Sequence, residues 1–256
     1  MPLLEVDNLT RRFGGLSAVS DLSFAVEEGE IRGLIGPNGA GKTTIFNVIT
    51  GYYRPTAGRI SYRGEAIAGL STNQIARRGL VRTFQSTTLF QEFSVFKNVL
   101  VGCHLHAPVN FVGAILGTGR GVERGAESKA LEILEFMGLG ARKDALASDL
   151  PHGLQRALGV AVALAADPQL LLLDEPFTGM NPEETRHMME LVRRVRARGV
   201  TLLLVEHDMQ AVMGLCDRIT VLNFGRLLAE GSPAEIRAHP DVIEAYLGAS
   251  GDVAAN

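Results

Sequence analysis

The residues Gly36, Pro37, Asn38, Gly39, Ala40, Gly41, Lys42, Thr43 and Thr44 have the types and spacing to hold a triphosphate. They fit G-x-x-x-x-G-K-[ST], and an apolar run precedes them while a helical pattern follows, which is the context the motif requires. Glycines let backbone N–H groups turn inward around phosphate oxygens. The helix that follows adds the positive end of its dipole, roughly half an elementary charge. Lys42 is expected to reach the β and γ phosphates, and the Thr43 hydroxyl to ligate Mg²⁺.

A second group stands at Leu170-Leu-Leu-Leu-Asp174-Glu175-Pro176. A buried strand ending in two carboxylates puts negative charge at the carboxyl edge of a sheet, where ligand sites of α/β proteins form. Asp174 is suited to hold Mg²⁺, directly or through water. Glu175 is suited to polarise an attacking water, a role typically worth ~10²- to 10⁴-fold in rate. A bare acidic pair capping a helix is the bland alternative, weakened by the phosphate loop elsewhere in the chain.

The elements that must position these groups follow from periodicity. Apolar or alternating runs predict strands over 4–9, 22–26, 31–35, 59–63, 170–173, 201–205 and 218–222. Helical spacing and start signals predict helices from 42 to about 50 and over 71–77, 94–101 (with Ser94 as cap), 127–137, 153–166, 182–198 and 209–215. The glycine-rich stretch 109–125 reads as a loop or a broken helix. Continuous apolar strands separated by helices imply a parallel sheet covered on both faces.

Bulk composition narrows the classes. The chain has 256 residues, 46% hydrophobic and 21% charged, an ordinary globular balance. A formal charge of -3 argues against nucleic acid as a partner. Cys103 and Cys216 form no framework, which favours a reducing compartment. The start, Met-Pro-Leu-Leu-Glu-Val, lacks the regions of a signal peptide. The longest apolar run, 157–166, is too short to span a bilayer. A metal reading of Cys103-His104-Leu-His106 has no distant partner pair, and the arginines at 193, 194, 196 and 198 read as a solvated helix face.

Taken together the motifs resemble the ATP-binding subunit of ABC transporters, over nearly the whole chain. The resemblance implies an α/β fold of the P-loop NTPase class, with a RecA-like core, an antiparallel β subdomain and a helical subdomain. Residues 1–256 would be one ABC ATPase domain. Residues 1–85 and 167–240 would form the core with the β subdomain, 86–166 the helical subdomain, and 241–256 a C-terminal tail. It further implies that Phe13 stacks on adenine, that Gln85 senses Mg²⁺ and the attacking water, and that His207 contacts the γ phosphate. The cofactors implied are ATP and Mg²⁺.

The family's signature, Leu-Ser-Gly-Gly-Gln, is altered here to Leu150-Pro151-His152-Gly153-Leu154, followed by Gln155-Arg156. In the family this segment caps the ATP of a second ATPase subunit, so that two chains sandwich two nucleotides head to tail. Pro151 has neither hydroxyl nor N–H to offer. Proline nevertheless suits a first helical turn, and the N–H groups around Gly153 remain available, with His152 beside them. Asn181, in Thr178-Gly-Met-Asn181, stands where relatives often carry Asp and is expected at the dimer interface. Phe90, Phe93 and Phe96 are either core or the groove that meets membrane subunits.

The segments at 12–19, 103–125 and 150–166 and the ending 242–248 are similar to the ATPases of branched-chain amino acid uptake systems. That likeness implies membrane permease subunits as partners, a substrate-binding protein indirectly, and a peripheral place on the cytoplasmic side of the inner membrane. The urea and amide importers, the lipopolysaccharide-export ATPase and soluble ABC ATPases such as the iron–sulfur assembly type stand as alternatives. A small-molecule P-loop kinase is disfavoured, because it would need an acceptor pocket in place of Gln85, the signature segment and His207.

Overall fold

The computed structural model describes residues 2–83, 89–103 and 119–251. In chain order the chain forms β1 (Leu4–Phe13), β2 (Leu16–Val26), β3 (Ile31–Ile35), α1 (Lys42–Ile49), β4 (Ala57–Tyr62) and β5 (Glu65–Ala66). There follow α2 (Thr72–Ala76), β6 (Leu80–Arg82), α3 (Val95–Cys103), α4 (Gly119–Phe136) and α5 (His152–Leu164). The last third holds β7 (Leu170–Asp174), α6 (Pro182–Ala197), β8 (Thr201–Val205), α7 (Met209–Leu215), β9 (Arg218–Asn223), β10 (Arg226–Gly231), α8 (Pro233–Ala238) and α9 (Pro240–Gly251).

Six strands make one sheet in the order β10-β9-β3-β8-β7-β6, and four make an antiparallel sheet in the order β2-β1-β4-β5. In the larger sheet β6, β7, β8, β3 and β9 run parallel, and β10 alone is antiparallel. Parallel strands bring their carboxyl ends to one edge. Register pairs Asp174 with Val205, and Leu34 with Val205's strand at the same level, so the phosphate loop and the acids emerge together.

The two-residue period of a strand explains the core. Leu171, Leu173, Leu202 and Leu204 face one apolar cluster, which takes in Ala157 and Leu158 of α5, Met188 and Leu191 of α6 and Val212 of α7. Leu170, Leu172, Leu203 and Val205 face the other, with Ile45, Phe46 and Ile49 of α1 and Leu4, Leu9 and Leu22 of the antiparallel sheet. Both faces are covered, which is why β3, β7 and β8 read as continuous apolar runs. Among the described residues no helix is long and apolar enough to cross a membrane.

Several boundaries differ from the periodicity. β1 and β2 extend to Phe13 and from Leu16, because pairing across a hairpin carries polar residues that show no apolar alternation. α4 starts at Gly119, through glycines read as a loop or broken helix. Charged helix formers at Glu123, Arg124, Glu127 and Lys129 continue the turn, and Ala130 and Leu134 anchor it in the core. Each glycine there costs about 1 kcal/mol against alanine, and the buried face outweighs it. The short β5, β6 and β10, and helices α8 and α9, were not anticipated. β5, β6 and α8 are too short to show a period.

Candidate functional site

β3 delivers the chain to Gly36 at the sheet's carboxyl edge. A Cβ at Gly36 would lie 2.4 Å from the Leu222 carbonyl oxygen, so only glycine fits beside β9. Gly41 takes φ 98, a left-handed conformation, and a Cβ there would lie 2.6 Å from the Ala18 oxygen. The loop thus folds tightly between β9 and β2, and the Gly225 N–H anchors it by donating to the Ala40 oxygen at 3.1 Å. Asn38, Gly39 and Thr43 are exposed, Pro37, Gly41 and Thr44 are half-buried, and Ala40 is buried.

α1 begins with no side-chain cap and no acid in its first turn. By contrast Ser71, Asn181, Asp208 and Ser232 cap α2, α6, α7 and α8 with their own side chains. The N–H groups and dipole of α1 are therefore left for an external anion. Lys42 is 9% exposed, and its ammonium donates to the oxygens of Gly36 at 2.6 Å and Pro37 at 3.0 Å. Burial lowers its pKa from the usual lysine value, and the nearby Glu175 opposes that shift. An anion in the loop would add to the Glu175 effect and favour the charged ammonium.

The acids stand at the end of β7. Asp174 is 5% exposed, and its Oδ2 accepts from Arg82 Nη2 at 2.5 Å. Glu175 has φ 48, an outlier for a non-glycine residue. Its N–H donates to the Val205 oxygen at 2.9 Å, and its Oε2 accepts from Thr178 Oγ1 at 3.3 Å. The bent backbone is thus held by β8, an arrangement in which local strain commonly accompanies function. Beyond β8, the His207 side chain is 58% exposed at the same edge. The exposed hydroxyl of Thr43 and the carboxylate of Asp174 are hard oxygen donors that suit Mg²⁺.

The sequence profile of the ABC transporter family matches residues 19–178. This chain belongs to that family. A second profile, the branched-chain amino acid ATP-binding cassette transporter, matches residues 226–252. The high-affinity branched-chain amino acid transport ATP-binding protein BraF of Pseudomonas aeruginosa is 47% identical over 96% of this chain and 98% of its own length. LivG of Escherichia coli K12, described in the same words, is 46% identical over 96% and 98%. Among solved structures, a nucleotide-free ATP-binding cassette from an ABC transporter superposes with TM-score 0.86 at 29% identity, over 96% of this chain and 99% of that one. The ADP conformation of MJ1267, another such cassette, gives TM-score 0.85 at 29% identity over 97% and 99%.

In this ABC ATPase the altered signature segment starts α5, with Pro151 as N-cap, no side-chain cap and no acid in the first turn. α5 therefore shares with α1 a helix N-terminus whose N–H groups no capping side chain accepts. A Cβ at Gly153 would meet Glu184 Oε1 at 2.9 Å, and one at Gly179 would meet His152 Cε1 at 3.1 Å. The segment thus lies against the stretch from Gly179 to Glu184 of its own chain. Asn181 has an intrachain use: its Oδ1 accepts from the N–H groups of Glu183 at 2.9 Å and Glu184 at 3.0 Å, capping α6.

Phe13 is 38% exposed at the tip of the β1–β2 hairpin. Tyr53 meets its ring edge-on at 5.1 Å, and the Arg11 guanidinium lies 4.4 Å from its centroid. Phe90 and Phe93 stack at 5.0 Å and are exposed, whereas Phe96 packs against the core. Cys103 Sγ contacts the Ala126 oxygen at 3.6 Å. Gln85, His104 and His106 lie outside the described residues.

Two contributors had no sequence signal. Glu206 is fully buried, and its carboxylate accepts from the N–H groups of Phe177 at 2.8 Å, His207 at 3.0 Å and Asp208 at 3.4 Å. It ties the segment after Glu175 to the segment bearing His207. Burial raises its pKa from the usual carboxylate range, and those N–H groups and His207 oppose the shift. Tyr246 of α9 packs on the core, and burial pushes its phenol up to about 12 against a lowering by the Gly36 backbone. The last helix thereby reaches the first glycine of the phosphate loop.

Proposed function

We propose that this chain binds MgATP at the Gly36–Thr44 loop, pairs with a second ATPase subunit and powers a branched-chain amino acid importer. The observation that carries the substrate class is the 47% identity to BraF across 96% of the chain, with the 226–252 match beside it. In this reading the adenine stacks on Phe13, and the phosphates take the N–H groups of the loop and of α1. Thr43, Asp174 and Gln85 would hold Mg²⁺, which would supply positive charge against the phosphates. Glu175 orients and deprotonates the attacking water, while Lys42 and His207 face the charge that develops on the γ phosphate.

The second subunit completes the site. Its Pro151, His152 and Gly153 would present the uncapped N-terminus of α5 to the γ phosphate, with Asn181 alongside at the interface. Hydrolysis removes that bridge and reopens the pair, a change the permease subunits read. We assign 86–166 as the helical lobe that meets the permeases, the exposed Phe90–Phe93 stack being an apolar patch suited to a partner. The remainder, 1–85 and 167–240, is the core with its β subdomain, and 241–256 the tail. The chain sits peripherally on the cytoplasmic face of the membrane, with a substrate-binding protein on the other side.

The test is reconstitution in proteoliposomes with branched-chain amino acid permease subunits and a matching substrate-binding protein. Leucine, isoleucine or valine should stimulate ATP hydrolysis and enter only with ATP. Stimulation by urea or a short amide alone would reassign the substrate, and co-purification with a soluble scaffold instead of permeases would overturn transport.

A further inference from the structure

Arg82 closes β6, and its guanidinium reaches both β7 and α1. Nη2 donates to Asp174 Oδ2 at 2.5 Å, and Nη1 donates to Asn47 Oδ1 of α1 at 2.7 Å. The guanidinium carbon lies 5.4 Å from the centroid of Phe46, also on α1. The two charged side chains are 10% and 4% exposed. Next in the chain, Thr83 binds β7 on both sides, donating its N–H to the Leu172 oxygen at 2.9 Å and accepting from the Asp174 N–H at 3.4 Å. The strand end is fixed, so the guanidinium is presented rather than free to swing.

A carboxylate this buried needs a compensating charge. Lys42 bonds the carbonyls of its own loop, so the compensation in hydrogen-bond contact with Asp174 comes from Arg82. Its grip is one-armed, since the other arm holds Asn47. Asp174 Oδ1 is left for a further partner, and Mg²⁺ is a second cation seeking the same carboxylate. Two cations on one buried group oppose each other strongly, because screening is weak there.

We infer that Arg82 is a resident counter-ion that balances and places Asp174 without magnesium, and that it sets the site's Mg²⁺ affinity by competing for that carboxylate. Arg82 would be a positioning residue acting through Asp174. The inference rests on the reading of Asp174 as a magnesium ligand. It also ties magnesium arrival to β6 and α1 through the same guanidinium.

The experiment uses the full chain with Arg82→Met, Arg82→Lys and Asn47→Ala, and a fluorescent ADP analogue titrated in EDTA and with rising Mg²⁺. Melting temperature is read in EDTA and in saturating MgADP. For Arg82→Met, the Mg²⁺ concentration at half-effect should fall by about tenfold, since the competing charge is gone. Its melting temperature should drop in EDTA and largely recover in MgADP. Arg82→Lys keeps a charge without the planar fork and should shift the Mg²⁺ dependence less. Asn47→Ala keeps the charge and frees the second arm for Asp174, so it should raise the Mg²⁺ concentration at half-effect, opposite to Arg82→Met.

An Arg82→Met chain with wild-type Mg²⁺ dependence, or with the same melting loss in EDTA and MgADP, overturns the inference and leaves Arg82 a structural tether. If Arg82→Met folds only with Mg²⁺ and nucleotide, the counter-ion role stands. If it never folds, the Arg82→Lys titration decides: tighter Mg²⁺ supports the competition, an unchanged value overturns it. A wild type whose nucleotide affinity ignores Mg²⁺ overturns the magnesium assignment of Asp174 itself, which is visible before any variant is made.

Discussion

Lys42 already stands desolvated across its loop, bonded to Gly36 and Pro37. Little reorganisation separates that placement from a phosphate contact. A charge-assisted hydrogen bond is worth about 1.5–3 kcal/mol, so Lys42→Ala should weaken nucleotide binding roughly 10- to 100-fold by calorimetry. Glu206 carries a pH signature. Its folded pKa is raised, so its contribution to stability is fully present below the usual carboxylate range and is lost as pH rises through the folded value. Glu206→Gln cannot titrate, and its amide must turn an NH₂ toward backbone donors. The wild type's stability advantage over Glu206→Gln should therefore narrow as pH rises above about 4.3, the unperturbed glutamate value, in denaturant melts. A gap that is flat with pH would show that Glu206 acts only as a hydrogen-bond acceptor.

Helix termini sort themselves by use. α6 is closed by Asn181 and by a reciprocal bond in which the Asn181 N–H donates to Glu184 Oε2 at 3.0 Å, with Pro182 at its start. Asn181→Ala should cost about 1 kcal/mol, a fall of roughly 2–4 °C in melting temperature for a chain of this size, and Asn181→Asp should keep it. If Asn181→Ala instead melts as wild type while ATP turnover of the paired subunits falls, the interface role outweighs the cap. α1 and α5 lack such closures, and both are the helices proposed to face phosphate. The shared feature is a physical reason to keep Pro151 without a hydroxyl: backbone N–H groups around Gly153 do not depend on it.

At the scale of the whole molecule, the phosphate loop, Asp174, Glu175 and His207 share one sheet edge, while the altered signature packs near Gly179. The proposed cycle needs two chains. Glu175→Gln should bind ATP, accumulate as a closed dimer in light scattering, and lose about 10²- to 10⁴-fold in turnover. A monomeric Glu175→Gln chain at saturating ATP, or one that still turns over, would remove Glu175 from the proposed role. Wild type in ADP should remain open.

The sequence by itself determined the strands and helices with strong periods and the residues of the site that follow a motif. β3 and β8 fall where their apolar patterns put them, because burial on both faces leaves a continuous signal, and α7 does so because one helical face is buried. Lys42, Asp174 and Glu175 were legible because chemistry dictates their types and spacing at the end of a strand. Asn181 was read as an interface residue, and only the fold shows its oxygen on two N–H groups of α6. α4 was half legible, since its glycines mask a helix that packing sustains. Arg82, Glu206 and Tyr246 could not be found by spacing. Their partners, Asp174, Phe177 and Gly36, are distant in sequence, and only the parallel sheet, by gathering its strand ends, makes them neighbours.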